Sequence, residues 1–394
     1  MKKFIIFLLT PIFLFGTHGC PRIEDSQKGR DTFIRILTHE NLDGVLIEIK
    51  GGYIVKNPST DKKIDSSMFK NRCYLSSSLE GIKWGKLYKN THQIQIIPKD
   101  EKTTFLLDGI QYRGKLSVFD ISSKISLVIE IDADEYLRSI LSGKFAYQAI
   151  HQTTLEALAI SMRTNLYHKI STSTNPFWDL KSSDHDFRGS SMMLINPSVD
   201  AAITATKDLI MVYENRPFPT FWTDHCGGRT AGYSTIFRKN ALCPPGVFVP
   251  FSQKSKDAHR WKCTISKEEV ASLAGLDELE SIEPYKCSTT GKIYGLKING
   301  PHLTFREITF VDLQKKIGSH RLQSNDVDIK LIDKRVEFTG YGKGLGVGIC
   351  LAAAKEMSKN GKSTSRMLSA FFPDTKIIKL EFVPQVFFED SQEN

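Results

Sequence analysis

YRGKLSVFDISSKISLVIEIDADEYLRSIL, residues 112–141, decides the fold class, because the hydrophobic period changes inside it. Up to Asp132 the chain runs in short alternating or apolar stretches, KLSVFD and ISLVIEID, separated by small polar residues. That pattern predicts strands joined by tight turns. From Asp134 onward, Tyr136, Leu137, Ile140 and Leu141 recur at three- and four-residue intervals, which predicts a helix.

The flanks extend both textures. On the N-terminal side FIRILT, GVLIEIKGGYIV, HQIQIIPK and TFLLDG are further strand candidates. On the C-terminal side TTLEALAISMRTNLYHKI spaces Leu155, Leu158, Ala159 and Met162 as a second helix, after SGKFAYQAIHQ as a loop or helix junction. Residues 171–198 read as loop, SVDAAITATKDL as helix, and IMVYENRPFPTFWT as a hairpin turning at Asn215–Pro217. Residues 240–290 read as irregular, apart from a helix at Lys267–Ala274 with Ser266 as its N-cap. Alternation returns in KIYGLKI, HLTFREITF, DVDIKLI and RVEFTG. The expected fold is α+β, with mostly antiparallel sheets and a few packed helices.

The N-terminus carries an export pattern. Lys2 and Lys3 precede the apolar stretch Phe4–Phe15, which is too short to span a membrane and is interrupted by Pro11. Gly19-Cys20 fits the end of a bacterial lipoprotein site, although His18 and Thr17 are poor for the preceding positions. Cys20 is therefore a candidate for lipidation, which would tether the mature chain to a membrane surface. The expected organisation is an export signal at 1–20, a flexible leader at 21–31 and a β-rich part at 32–133. A core follows at 134–378, and a tail at 379–394.

The formal net charge of +9 favours anionic partners. For an exported chain these are acidic headgroups or cell-wall polymers, and nucleic acid is set aside. Of seven cysteines, six lie beyond Cys20, and no C-x-x-C pair supports a zinc ribbon. A disulfide among Cys226, Cys243, Cys263 and Cys287 fits an oxidising compartment, with Cys350 expected as a buried free thiol. No cofactor is implied. His225 and Cys226 are adjacent and point apart, so no metal site is expected.

GYGKGLGVG, residues 340–348, precedes a helix expected over Ile349–Lys359. Such a glycine run suits either a plain sharp turn or close approach of a ligand, with helix N–H groups available to oxygen atoms.

Several segments together resemble the stage II sporulation protein D family (SpoIID/LytB amidase-enhancer domain). YRGKLSV followed by VIEIDADEYLRSIL is similar to the family's entry into its first helix. LEALAISMRT resembles the helix that ends in Arg-Thr, here Arg163 and Thr164. CGGRTAGY resembles the Gly-Gly loop, GYGKGLGVG the Gly-x-Gly-His-Gly-Val-Gly motif, and KNGKSTSRMLSAFFPDTKI the C-terminal helix. The likeness runs from Phe33 to Ile378.

The resemblance implies an envelope protein acting on peptidoglycan glycan strands after an N-acetylmuramoyl-L-alanine amidase has removed their peptides. Family members of the sporulation type cleave such strands as lytic transglycosylases, through a glutamate that donates and then accepts a proton. Here the glutamate falls on Lys144 and the histidine of the glycine motif on Lys343, while Thr223 replaces a second histidine and His225 stands two residues later.

Three readings follow. In the first, a non-catalytic relative binds glycan and assists an amidase. Lys144, Lys343 and Arg163 bond sugar oxygens, and Tyr341 or Trp222 stacks on a ring. His225, Cys226, Gly227, Gly228, Gly344 and Gly346 shape the groove. In the second, Glu156 supplies the missing carboxyl of a transglycosylase. In the third, the chain is a structural envelope lipoprotein.

Overall fold

The computed structural model describes residues 33–145, 148–184, 187–190 and 196–380. The expected export signal and leader, Cys20 and the chain beyond Leu380 lie outside the described residues.

The N-terminal part folds as two antiparallel sheets because its strands alternate. In Gly44–Lys50 the side chains of Val45, Ile47 and Ile49 are buried while Leu46 and Lys50 are exposed. One sheet has the order Leu180–Lys181, Phe33–Leu42, Lys124–Asp132, Lys115–Ile121, Gln93–Pro98, Tyr53–Asn57, Lys62–Ser67. Its edge strand Leu180–Lys181 joins in parallel from far along the chain. The other has the order Ile110–Tyr112, Thr104–Leu107, Gly44–Lys50, Asn71–Ser78, Gly81–Trp84, Lys86–Lys89. The two share one core, in which Tyr53 of the first meets Trp84 of the second at 5.6 Å.

The switch to helix is made by Asp132. Lys115–Ile121 and Lys124–Asp132 are joined by Ser122 and Ser123, both at positive φ, a two-residue hairpin turn. At the far end of that hairpin the Asp132 carboxylate accepts the N–H groups of Asp134 and Glu135, at 2.9 and 3.2 Å. It thus caps the first helix, α1 (Ala133–Phe145). SGKF is therefore the last turn of α1 rather than a loop.

Next comes α2 (Gln152–Thr172), buried around most of its circumference. It packs against α3 (Pro197–Ala205), the strand Leu209–Val212 and, from the C-terminal region, α8 (Leu351–Lys359) and α9 (Thr364–Phe371). The remaining helices are α4 (Tyr233–Phe237), α5 (Pro250–Lys254), α6 (Lys267–Ala274) and α7 (Phe310–Ile317). The fold is α+β, mostly antiparallel, as the change of period predicts.

Three local expectations are corrected. Of the hairpin over 210–223 only the tip forms: Tyr213 and Arg216 exchange N–H···O bonds at 3.0 Å around Glu214 and Asn215, both at positive φ, and the flanking strands pair elsewhere. Leu209–Val212 pairs with Lys376–Lys379, and Trp222–Thr223 lies parallel to Ile349–Cys350. Pro217 and Pro219 lack the N–H groups that a returning strand would need. Residues 240–290 are not merely irregular. Besides α6, whose Ser266 cap accepts the Glu269 N–H as expected, they contain the strands Arg260–Ser266 and Ser281–Lys286. These belong to a module of two three-stranded sheets with α6 and α7, built on its own core of Trp261, Leu296, Phe310, Leu313 and Phe338. Finally, α8 begins at Leu351, with Cys350 as its N-cap rather than inside it.

Candidate functional site

The glycine run is a seam, and its N–H groups from Tyr341 to Gly344 are already used. Tyr341 N–H donates to Asp326 O, Gly342 N–H to His259 O, Lys343 N–H to His225 O and Gly344 N–H to Gln323 O, at 2.8–2.9 Å. Thr223 Oγ1 donates to Lys343 O at 2.8 Å, and Ile349 N–H to Phe221 O at 2.9 Å. The run threads between the Cys226–Tyr233 loop and residues 323–326, close to both. A Cβ at Gly344 would strike the Thr223 hydroxyl, and one at Gly346 would meet the Lys292 side chain at 2.5 Å. Of the expectations for this stretch, the close approach is made by protein rather than by a ligand. At the start of α8 the same holds, since Ala352 N–H donates to Asp224 O at 3.1 Å. Lys343 is exposed, and Tyr341 and Leu345 are half-buried. Tyr341 lies under the Lys256 ammonium at 4.7 Å, and Lys343 pairs with Asp224 at 3.3 Å.

Behind the seam lies a buried polar cluster. His225 is 2% exposed, bonds Ser255 Oγ at 2.9 Å through Nε2 and stacks on the exposed His259 at 3.9 Å. Lys292, also 2% exposed, donates to Cys226 O at 2.9 Å and faces Asp326 at 4.0 Å. Burial lowers the ammonium's affinity for its proton. Gly227 and Gly228 are buried too, packed against Asp326 and Gln253. His225, Cys226 and both glycines therefore support the loop and do not line an open groove.

Burial, followed by the charges of His259 and Lys292, pulls the His225 imidazole down to about 4 from 6.5. Between these two pH values the unfolded chain holds the extra proton and the folded chain does not. Stability therefore falls as pH falls through that window. The expected loss approaches about 3 kcal/mol by pH 4. It is measured as the urea midpoint at pH 7, 5.5 and 4.5, and it should shrink in His225→Asn. A midpoint with the same pH dependence in both proteins would remove His225 as the cause.

Arg163 and Glu156 are placed away from any open cleft. Arg163 is 1% exposed, and its guanidinium bonds Asp134 Oδ1 at 2.8 Å, Thr206 O at 2.7 Å and Leu209 O at 3.3 Å. It ties the start of α1 to α2 and to the turn after α3, so it does not stand ready for a sugar. It sits mid-helix, because α2 continues nine residues beyond it to Thr172. Glu156 accepts a 2.6 Å bond from Thr364 Oγ1, joining α2 to α9.

The structure does bring Lys144 and Trp222 together. Both line a cleft of about 530 Å³ walled by the end of α1, by Met162 and Asn165 of α2, by Ser183, Asp184 and Arg188, and by Thr220–Trp222. Lys144 is exposed in the last turn of α1, and Trp222 is half-buried with its ring 6.2 Å from that of Phe145. Ser139, Asn165 and Thr220, whose polar groups are buried and bonded within the protein (the Ser139 hydroxyl to Gly189 O and the Thr220 hydroxyl to Ser161 O, each at 2.6 Å), line the same space. So do Asp184, ion-paired with Lys169 at 2.9 Å, and Arg188. Glu156 does not line it. The cleft thus offers the cations of Lys144 and Arg188, the carboxylate of Asp184 and an aromatic face.

Sequence reasoning missed Asn165, Asp184 and Arg188. Asn165 follows Met162 by three residues, and that helical spacing is the signal that placed it on the same face. Asp184 and Arg188 lie in a stretch with no hydrophobic period, where only the tertiary fold assigns a position.

Comparison with known proteins adds the family. An uncharacterized protein of Chlamydia pneumoniae is 29% identical over 197 residues, covering 48% of this chain and 71% of its own length. An uncharacterized protein of Brachyspira hyodysenteriae is 24% identical over 358 residues, covering 87% of this chain and 92% of its own. The family described as Stage II sporulation protein (SpoIID) matches residues 122–213, the span that holds the Asp132 switch, α1 with Lys144, and α2 with Arg163. Residues 122–213 are accordingly a SpoIID domain of the Stage II sporulation protein family, which points to a cell-wall-related role.

Proposed function

We propose that this protein is exported to the cell envelope, where it binds peptide-stripped glycan strands of peptidoglycan in the Lys144–Trp222 cleft. It would act there beside an N-acetylmuramoyl-L-alanine amidase, whose action exposes such strands. The observation that carries this reading is the convergence of Lys144 and Trp222 on one cleft of about 530 Å³. Sugar rings stack their C–H faces on aromatic side chains, the part that Trp222 would take. Loss of the stem peptide leaves a lactyl carboxylate, a match for the Lys144 ammonium. The cleft size is within the range of small-ligand sites, about 300–1,000 Å³.

The same residues argue for binding without cleavage. Glycosidic cleavage needs a proton donor at the leaving oxygen. Position 144 carries an ammonium, Glu156 is held by Thr364 outside the cleft, and Asp184, the carboxylate that does line it, is engaged by Lys169 at 2.9 Å.

The test is a binding isotherm with amidase-treated sacculi. Trp222→Ala is expected to weaken binding roughly tenfold and Lys144→Ala roughly fivefold, about 1 kcal/mol each. Glu156→Gln should leave binding unchanged. Mass spectrometry of the digested strands should show no anhydro-sugar ends. Unaltered binding in the Trp222→Ala, Lys144→Ala double variant overturns the assignment of the cleft. Anhydro ends overturn the non-catalytic reading. If the wild-type protein neither binds nor cleaves, a structural role in the envelope takes its place.

A further inference from the structure

Cys226 and Cys350 stand far apart in sequence and meet in the main core, 1% and 0% exposed. They approach from the two sides of the glycine seam. Cys226 opens the Gly227–Gly228 loop, while Cys350 ends the strand beside Trp222–Thr223 and caps α8. The Cys226 N–H donates to Cys350 Sγ at 3.3 Å. The same sulfur accepts from the Cys226 thiol, the Ala353 N–H and the Ser252 hydroxyl. Hydrogen bonding from Cys226 leads these effects and outweighs burial, so the Cys350 thiol is held below the ordinary thiol range. Cys226 is pushed the other way, first by its bond to Cys350 and then by burial.

The pairing expected from sequence, among Cys226, Cys243, Cys263 and Cys287, omitted the sulfur that Cys226 in fact faces. We propose that Cys226 and Cys350 form an intramolecular disulfide when the chain folds in an oxidising compartment, fixing the Gly-Gly loop to the start of α8. The oxidising compartment rests on the export reading above.

The oxidant is a disulfide, either an oxidised dithiol oxidoreductase or oxidised glutathione. The Cys350 thiolate attacks one sulfur of the carrier and releases the other as a thiol, leaving a mixed disulfide. The Cys226 thiolate then displaces the second carrier sulfur, so the carrier gains both electrons and both protons. Because both sulfurs are buried, the exchange belongs to folding, before the core closes over them. A cross-link closing so long a loop removes much of the freedom of the unfolded chain.

The test refolds the full chain with oxidised glutathione and digests it without reduction. The expected product is a peptide linking Cys226 to Cys350, with two fewer alkylatable thiols than in the reduced chain. Dithiothreitol should then lower Tm by roughly 5–10 °C. In Cys226→Ser/Cys350→Ser, checked for a native circular-dichroism spectrum, Tm should not respond to dithiothreitol. Alkylation of both cysteines in the oxidised, denatured wild type overturns the pairing, as does linkage of Cys226 to another cysteine. If the link forms in vitro yet both thiols are free in protein taken from its own cells, the pairing stands and the oxidising compartment falls.

Discussion

Arg163→Ala is expected to destabilise the protein by about 3–5 kcal/mol, the cost of removing one partner from a buried ion pair. The guanidinium is the largest fully buried side chain and serves three acceptors from three places in the chain: Asp134, Thr206 and Leu209. Alanine removes the guanidinium from the Asp134 carboxylate and from the Thr206 and Leu209 carbonyls, of which Thr206 O keeps the Leu209 N–H, and opens a cavity beside α2. Arg163→Lys should recover little, because an ammonium cannot reproduce the planar fork that reaches all three. Asp134→Asn should cost less than Arg163→Ala, since Asp134 remains 18% exposed and can turn to water. Urea midpoints of the three variants decide the matter. A shift below about 1 kcal/mol for Arg163→Ala would contradict the burial and bonding described.

Gly348→Ala is the second large effect, expected at about 3 kcal/mol or more. Gly348 has φ 74°, where an L side chain is strained, and its added Cβ would fall on the Phe221 carbonyl. That carbonyl accepts the Ile349 N–H, the bond that holds Trp222–Thr223 parallel to Ile349–Cys350. Relief of the clash therefore displaces Trp222, so the variant should lose glycan binding as well as stability. Gly361→Ala is the control. It has φ 67° but no atom within 4 Å of the added Cβ, so it should cost only about 1 kcal/mol and leave binding intact. Equal midpoints for the two variants would show that strain alone, and not the contact with Phe221, sets the cost.

The elements that were legible in the sequence are those set by near neighbours. The change of period at Asp132–Asp134 gives the sheet and then the helix, because Asp132 caps residues only two and three positions away. Ser266 before α6 is read in the same way from Glu269. The end of α1 was less legible. SGKF has no strong helical period, and burial of Phe145 against Trp222 carries the helix through it. The module around Phe310 and Phe338 was also hidden, since its strands alternate weakly and are stabilised by partners elsewhere in the chain.

For the candidate site, the chemistry of single positions is readable in the sequence but their company is not. That position 144 carries an ammonium and position 343 another is settled by the sequence alone, and the likeness to the SpoIID family is borne out over residues 122–213. Whether a glycine run receives a ligand or a neighbouring strand, whether Arg163 faces solvent or Asp134, and which sulfur Cys226 meets were decided by tertiary structure. The reason is physical. Periodicity and capping act within a few residues, whereas the contacts of Thr223 with Lys343, of Glu156 with Thr364 and of Cys226 with Cys350 join residues 120, 208 and 124 positions apart. Only burial of a common core brings such pairs within bonding distance.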